Sequence, residues 1–450
     1  MGKDNSIYAA SASLSKLPRA RMVWKVLGGV VLLIVIYVTY AIFVDESLDP
    51  GIAKYYQKTE VQVPDVQNAV IYLRALDAPA GADLLAFGRA DIVNEQRYLD
   101  DMLRWRRATG YPYEIKQAIE IKGDVNAALY CNETSLSDLA AREKCISTAG
   151  LRSLIERNQE ILGRYEHVLA LPYYQGTVSR NTMLSLSLAK LYCLNIDLSV
   201  REGKVEEAYQ LWVAFQRYIL RAHGSDSLVV DKSVMLVSEG IGYEALNEIM
   251  VANPDVLINH HDEIEQMLKT QGLNSWNFRA DFVWYYRNMN RSLEVGASSP
   301  IFHPNFIRNR IYRTMVAIES VLDSEDPKDY SRKTLDIWHQ YGDIARWSND
   351  YLRDPLNTFP SRYVYCNGLK AYGQIAQNVV RHDDIAGLIK LVIKARQQNI
   401  TDDQMPAFIQ REGNAYPDRI DGLPIVWDAK HRTIGYGDPA TYSGLHFRVP

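Results

Sequence analysis

Three hydrophobic patterns follow one another along the chain. The first is an unbroken apolar run from Val26 to Val44, 19 residues without Asp, Glu, Lys, Arg or His. At about 1.5 Å of rise per residue, such a helix covers roughly 28 Å, close to the hydrocarbon thickness of a bilayer. The second pattern, from about residue 67 to 411, is helical. Leu151, Leu154, Ile155, Ile161, Leu162, Tyr165, Val168 and Leu169 recur at intervals of three and four, which predicts one amphipathic helix over 151–169. Val205, Ala208, Tyr209, Trp212, Phe215 and Ile219 repeat that spacing. Residues 183–198 are apolar nearly all round, so they predict a central helix buried on most faces, with Cys193 hidden inside it. The third pattern occupies the last 40 residues, where Pro417, Asp421-Gly422, Pro424 and the stretch from Gly435 to Pro439 bring turns. Ile425-Val426-Trp427 and Thr433-Ile434-Gly435-Tyr436 read there as two short strands.

Breaks at Gly110-Tyr111-Pro112, Leu171-Pro172, Gly203, Gly224, Asn253-Pro254, Gly272, Ser299-Pro300 and Asp354-Pro355 divide the helical region. They predict about a dozen helices of ordinary globular length. The expected fold is all-α: a multi-helix bundle or helical-hairpin solenoid, with a single N-terminal transmembrane helix and a small C-terminal β-hairpin. The expected organisation is a basic tail (1–25), a transmembrane helix (26–44), a linker (45–66), an exported helical domain (67–411) and a turn-rich segment with the hairpin (412–450).

Charge sets the expected orientation. Residues 1–25 carry Lys3, Lys16, Arg19, Arg21 and Lys25 against Asp4, a net of +4, whereas Asp45, Glu46 and Asp49 follow the apolar run. Basic residues are retained on the cytoplasmic side. The tail is therefore expected in the cytoplasm and the remainder outside it. The whole chain carries −4 and the first 25 residues +4, so the rest carries −8. An acidic balance without a basic face argues against nucleic-acid binding. Arg104, Arg106 and Arg107 around Trp105 form the main basic knot and read as a solvated helix face. The apolar run is longer than a signal-peptide core and lacks a well-formed small-x-small site, so a retained anchor is expected.

All four cysteines, Cys131, Cys145, Cys193 and Cys366, lie beyond the apolar run, as suits an oxidising compartment. The expected pairs are Cys131 with Cys145, which are close in sequence, and Cys193 with Cys366 by elimination; four buried thiols are the alternative. Sequons stand at Asn132, Asn290 and Asn399, about as many as chance supplies.

Two local resemblances appear. Gly203-Lys204-Val205-Glu206-Glu207-Ala208 followed by Trp212 resembles the turn and second helix of a tetratricopeptide repeat. Asn195 and Phe215 depart from that family's pattern, and no second copy recurs at a 34-residue spacing. The resemblance therefore implies helical hairpins rather than a regular array. The segment from Asp421-Gly422-Leu423-Pro424 through Tyr436-Gly437 resembles the C-terminal D-G-x-P hairpin of many bacterial exported or membrane-anchored proteins of unknown function. A similar turn ends the pseudopilins, whose cleavage signature is missing here. What the resemblance implies is a bacterial inner-membrane protein with its main domain in the periplasm. A type II Golgi protein has the same layout.

No HExxH, G-x-S-x-G, P-loop or G-x-G-x-x-G motif occurs. His261 and Glu265 stand one turn apart, but acids in the first turn of a helix beginning near Asp255 are expected on dipole grounds alone. In His382-Asp383-Asp384, one of the aspartates is expected to cap the helix that follows. No metal and no cofactor are expected. The densest aromatic group surrounds Trp276, Trp284 and Tyr285, with Arg279, Asp281 and Arg287 interleaved. Aromatic faces with orienting charges suit a sugar or peptide groove, although core packing between helices is the more ordinary reading of them. The expected role is binding or scaffolding of envelope proteins or peptides. The alternative is an envelope hydrolase or transferase acting on glycans or peptides, with acids such as Asp281 and Glu294.

Overall fold

The structure, a computed structural model, describes residues 17–43, 47–56, 63–103, 118–130, 146–178, 181–225, 227–268, 304–341, 358–437 and 446–449. It is mostly helical, with a small antiparallel sheet at the C-terminus. The helices are α1 (Leu17–Phe43), α2 (Pro50–Tyr56), α3 (Ala69–Leu73), α4 (Leu84–Leu103), α5 (Val125–Tyr130), α6 (Thr148–Arg157), α7 (Gln159–Ala170) and α8 (Thr182–Arg201). They continue as α9 (Val205–His223), α10 (Val229–Ala252), α11 (Asp255–Asn259), α12 (His261–Met267), α13 (Pro304–Ser324), α14 (Tyr330–Tyr341), α15 (Thr358–Gln397) and α16 (Met405–Glu412).

α8 is the centre of the larger helical group, packing on α5, α6, α9 and α10. It is apolar and long enough to cross a membrane, yet 67% of its most apolar stretch is buried inside the fold. Leu188, Leu191, Tyr192, Leu194 and Ile196 are all hidden, and so is Cys193, as the all-round apolar pattern predicts. The turn into α9 closes the helical hairpin foreseen at Gly203. Gly203 takes a positive φ of 75°, its N–H donates to the Val200 carbonyl, and the Lys204 N–H donates to Ser199. Those bonds satisfy the last carbonyls of α8 in the manner of a Schellman cap.

The single helix expected over 151–169 is two helices broken at Asn158. Buried Asn158 donates from Nδ2 to the carbonyls of Lys122 and Leu154, and its Oδ1 accepts from the Lys122 N–H at 2.7 Å. The amide thus pins the 118–124 strand of chain against the helix pair, and a side chain engaged in that way competes with helix continuity. The apolar stripe keeps its face across the break, with Leu151, Leu154, Ile161, Tyr165 and Val168 all in one core.

Two buried ion pairs fasten this group. Arg74, just after α3, reaches α4 through Asp91 at 2.9 Å and through Glu95, and donates to the Thr177 carbonyl at 3.1 Å. Within α8, Arg201 holds Asp197 at 2.8 Å one turn away. Burial of charge is tolerated only with such pairing, and removing one partner of a pair like this leaves an uncompensated charge.

α13 and α14 form a second helical group. The 40 residues of α15 serve both groups. Around Tyr372 and Gln377 α15 packs on α14, and further along it meets α10, α11 and the sheet. The sheet is three strands in sequence order: β1 (Ile425–Asp428), β2 (Thr433–Tyr436) and β3 (His446–Arg448), all antiparallel. Ile425 pairs with Tyr436 and Asp428 with Thr433, which is the hairpin the sequence predicts. β3 is an addition, placed against α10 through the Arg448 N–H, which donates to Asn247 Oδ1 at 3.0 Å. Ile434 and Phe447 bury their side chains in the main core, so the C-terminus closes the fold.

Among the described residues no disulfide is seen. Cys131 and Cys145 lie outside the described residues, as does the Cys366 side chain, so the expected pairings fall there.

The α14–α15 contact depends on Gly373. A Cβ at this position would lie within 2.6 Å of the Tyr330 carbonyl oxygen and 2.7 Å of the Ser331 Cα. Backbone atoms cannot yield as a flexible side chain would. The expected outcome is that Gly373→Ala lowers stability by about 1–3 kcal/mol, despite the higher helix propensity of alanine. Chemical denaturation of wild type and variant checks this; an unchanged or raised midpoint contradicts the close approach.

Candidate functional site

The expected aromatic site, Trp276, Arg279, Asp281, Trp284, Tyr285 and Arg287, lies outside the described residues, and so do Glu294 and the Arg104–Arg107 knot. The described residues instead bring together a buried titratable cluster where α9, α10 and α15 meet. Its centre is Glu239 on α10, 6% exposed. Tyr243, one turn along, donates its hydroxyl to Glu239 Oε1 at 2.9 Å. Gln216 of α9 donates from Nε2 to the same oxygen at 3.1 Å. Two imidazoles converge on the other oxygen, Oε2: His382 Nδ1 from α15 at 3.6 Å and His223 Nδ1 from α9 at 3.9 Å. Both distances exceed a normal N–H···O bond, so these contacts act through charge and dipole. Lys232, almost fully buried, belongs to the same region and disfavours charge on His223.

Burial opposes ionisation of Glu239, but His223, His382 and the Tyr243 hydroxyl together outweigh it and hold the carboxyl below the usual range. Burial drives His223 the opposite way, down to about 4, although Glu239 resists that. At neutral pH His223 is uncharged and Glu239 ionised. The site is therefore a buried carboxylate inside a helical junction, with a hydroxyl and an amide donating to one oxygen and two imidazoles facing the other. Only His382, at 18%, reaches toward solvent.

The next residues of α15 tie this junction to the C-terminal segment. Asp384 accepts the Arg419 N–H at 3.0 Å and its Nε at 2.6 Å, while Arg419 Nη2 donates to the Val380 carbonyl. The Tyr436 hydroxyl donates to the carbonyl of Asp384 at 3.1 Å, and the Tyr416 carbonyl lies 3.0 Å from it. The expectation that Asp383 or Asp384 caps a following helix is thus corrected. α15 runs unbroken through both, so their carboxylates are free to serve Arg419 instead. Burial, with the nearby charges of Glu239 and Asp384, pushes the Asp383 carboxyl up to about 6 against the pull of Arg419.

His261 and Glu265 sit on the short α12. Its neighbour His260 stacks on Tyr209 with ring centroids 4.2 Å apart and approaches Glu206 at 3.2 Å, while Tyr209 donates to Glu263 at 2.7 Å. These contacts tie α12 to α9. Among the described residues no group of three or more His, Cys, Asp or Glu is placed to hold a metal ion. A small cleft between α5, α8 and α10, lined by Leu129, Cys193, Asp197, Ile241, Glu244 and Glu248, has room for about one water.

No known protein family, no curated protein and no solved structure matches the chain. Sequence reasoning passed over Glu239 and His223 because neither belongs to a local motif and their partners come from other helices. The usable signal was that charged groups interrupt the buried face of α9 and α10, which demands partners from elsewhere.

The two displaced groups give opposite pH slopes. His223 has a folded pKa below its unfolded value of 6.5, so its contribution is full above 6.5 and is lost as pH falls toward 4. Asp383 is raised from 3.8 to about 6, so its contribution is present below 3.8 and lost as pH rises through 6. Between pH 4 and 6 they offset one another. Relative to wild type, His223→Gln is expected to gain stability on acidification from pH 7 to 5, and Asp383→Asn to lose it. Urea midpoints across that range check both, and parallel curves for all three proteins contradict the assignment.

Proposed function

We propose that this is a single-pass, membrane-anchored protein whose helical domain lies outside the cytoplasm and binds or scaffolds envelope proteins or peptides. In this reading residues 26–44 span the inner membrane of a bacterium, the basic tail is cytoplasmic and the main domain is periplasmic. The observation that carries it is the surface of α1. Val26, Leu27, Val30, Leu32, Leu33, Ile34 and Ile36 are each about half exposed or more, Leu33 by 67%. Leu, Ile and Val in α8, α9 and α10 are mostly buried. A continuous apolar helix left uncovered by its own fold suits a lipid environment. The charge difference across it supports the orientation.

The binding role rests on the architecture. Packed helical hairpins present broad helix faces, and the one titratable cluster described is enclosed in a junction that joins elements. The alternative, an envelope hydrolase or transferase on glycans or peptides, rests on the aromatic stretch 276–287.

Three measurements test the proposal. The full-length protein is expected to stay with membranes through alkaline extraction, and protease added to intact spheroplasts is expected to digest all but the anchor and tail. Release at high pH, or protection of the main domain in sealed spheroplasts, contradicts anchor or orientation respectively. For the role, crosslinking in native membranes followed by affinity purification and mass spectrometry is expected to recover a stoichiometric partner. Recovery of the protein alone, together with turnover of envelope glycan or peptide by the purified chain, replaces binding with catalysis.

A further inference from the structure

The chain just after α1 is docked onto the domain. Ser47 lies four residues beyond Phe43, the last residue of α1. Its carbonyl accepts Asn309 Nδ2 of α13 at 2.8 Å, and Asn309 Oδ1 accepts the Asp49 N–H, also at 2.8 Å. One amide therefore grips the main chain at two points, 260 and 262 residues away in sequence. Asn309 is 1% exposed, and both bonds are part-buried. α2 continues the contact. Gly51 lies so close to the Tyr312 ring, one turn along α13, that any side chain at 51 would overlap it, and Ile52 is 2% exposed.

Covalent geometry turns this clip into a distance. Four residue steps reach at most about 14 Å. The Asn309 clip therefore lies within about 14 Å of the end of α1. A headgroup layer adds only about 5–8 Å on each side of the hydrocarbon core. If α1 spans the membrane, the face formed by α2 and the first half of α13 is at the lipid surface. Its chemistry suits that position. Arg308, half-buried with Nη1 donating to Asn305 Oδ1 at 3.1 Å, and Arg313 fall in the first three turns of α13, in a chain whose part beyond residue 25 carries −8. Arg313 is exposed, and Val316, one turn on, is 39% exposed. Arginine meets lipid phosphate by paired hydrogen bonds, and an apolar side chain beside it enters the interface.

We infer that the α2–α13 face is the membrane-facing side of the domain, resting on anionic phospholipid headgroups and holding the domain against the bilayer rather than on a stalk. The inference rests on the anchor reading above. The occupant is lipid because the anchor delivers this face to the bilayer surface. Each Lys or Arg near an anionic surface adds an attraction that salt weakens.

The test uses the full chain reconstituted into vesicles of phosphatidylethanolamine and phosphatidylglycerol. A photoreactive benzoylphenylalanine replaces Val316, and in a second protein it replaces Glu156 on α6, in the other helical group. After flotation and illumination, lipid adducts are counted by mass spectrometry. Adducts at 316 are expected several-fold above those at 156. They are expected to fall when a ten-residue Gly-Ser insert follows Phe43, which lengthens the tether and leaves the Asn309 clip untouched. They are also expected to fall in vesicles of phosphatidylcholine alone. Vesicles that carry the protein but give equal adducts at the two positions overturn the inference and leave the anchor standing. Adducts at 316 that ignore the insert overturn the role of the clip. A protein that does not float with vesicles removes the anchor, and the inference falls with it.

Discussion

A helix of 40 residues is about 60 Å long, more than any one set of partners can cover. α15 meets that constraint by changing company along its length. Near Tyr372 it is buried by α14, and from His382 onward it is buried by α10, α11 and the sheet. The change happens over the residues where polar groups concentrate: Gln377, then His382, Asp383 and Asp384. Gln377 donates to the carbonyls of Pro327 and Lys328, His382 faces Glu239, and Asp384 holds Arg419. Directional contacts of this kind fix how two bodies of helices meet, whereas apolar contacts alone tolerate sliding and rotation.

The same reasoning explains why a carboxylate is buried at Glu239. Three helices converge there: two turns of α10, two of α9 and one of α15. An apolar residue would remove the cost of burying charge. It would also remove the groups that tell α15 where to stop sliding along α10. A hydroxyl and an amide donate to one of its oxygens and two imidazoles face the other. This contrasts with Arg74, where the guanidinium is matched directly by Asp91 and Glu95.

The helical class, the central buried helix, the α8–α9 hairpin and the two strands of the C-terminal hairpin were legible in the sequence. Each depends on local period or on a Gly or Pro whose backbone effect is nearly independent of context. The break at Asn158 was not legible, because it arises from a hydrogen bond to Lys122, 36 residues upstream. β3 was missed for a similar reason: three residues are too few to show alternation, and their place is set by β2 and Asn247. Asp383 and Asp384 look like cap residues from their type, yet α15 runs on through both and Arg419 pairs with each. The candidate site was legible only as isolated charges in apolar helices. What joins them is tertiary, since His223, Glu239 and His382 share no local spacing.

α8 reaches its buried place only after α9 and α10 have been laid over it. On the proposed topology, a chain emerging through a membrane would until then expose a second stretch that lipid can accept. Lys190, Asp197 and Arg201 count against its partitioning, because a charge at mid-bilayer is costly while its partner is still unformed. The ion pair that later rigidifies the end of α8 thus has an earlier meaning. On that topology its two halves, as separate charges, would favour passage of the segment over retention, and as a pair they let the same segment become the interior of a protein.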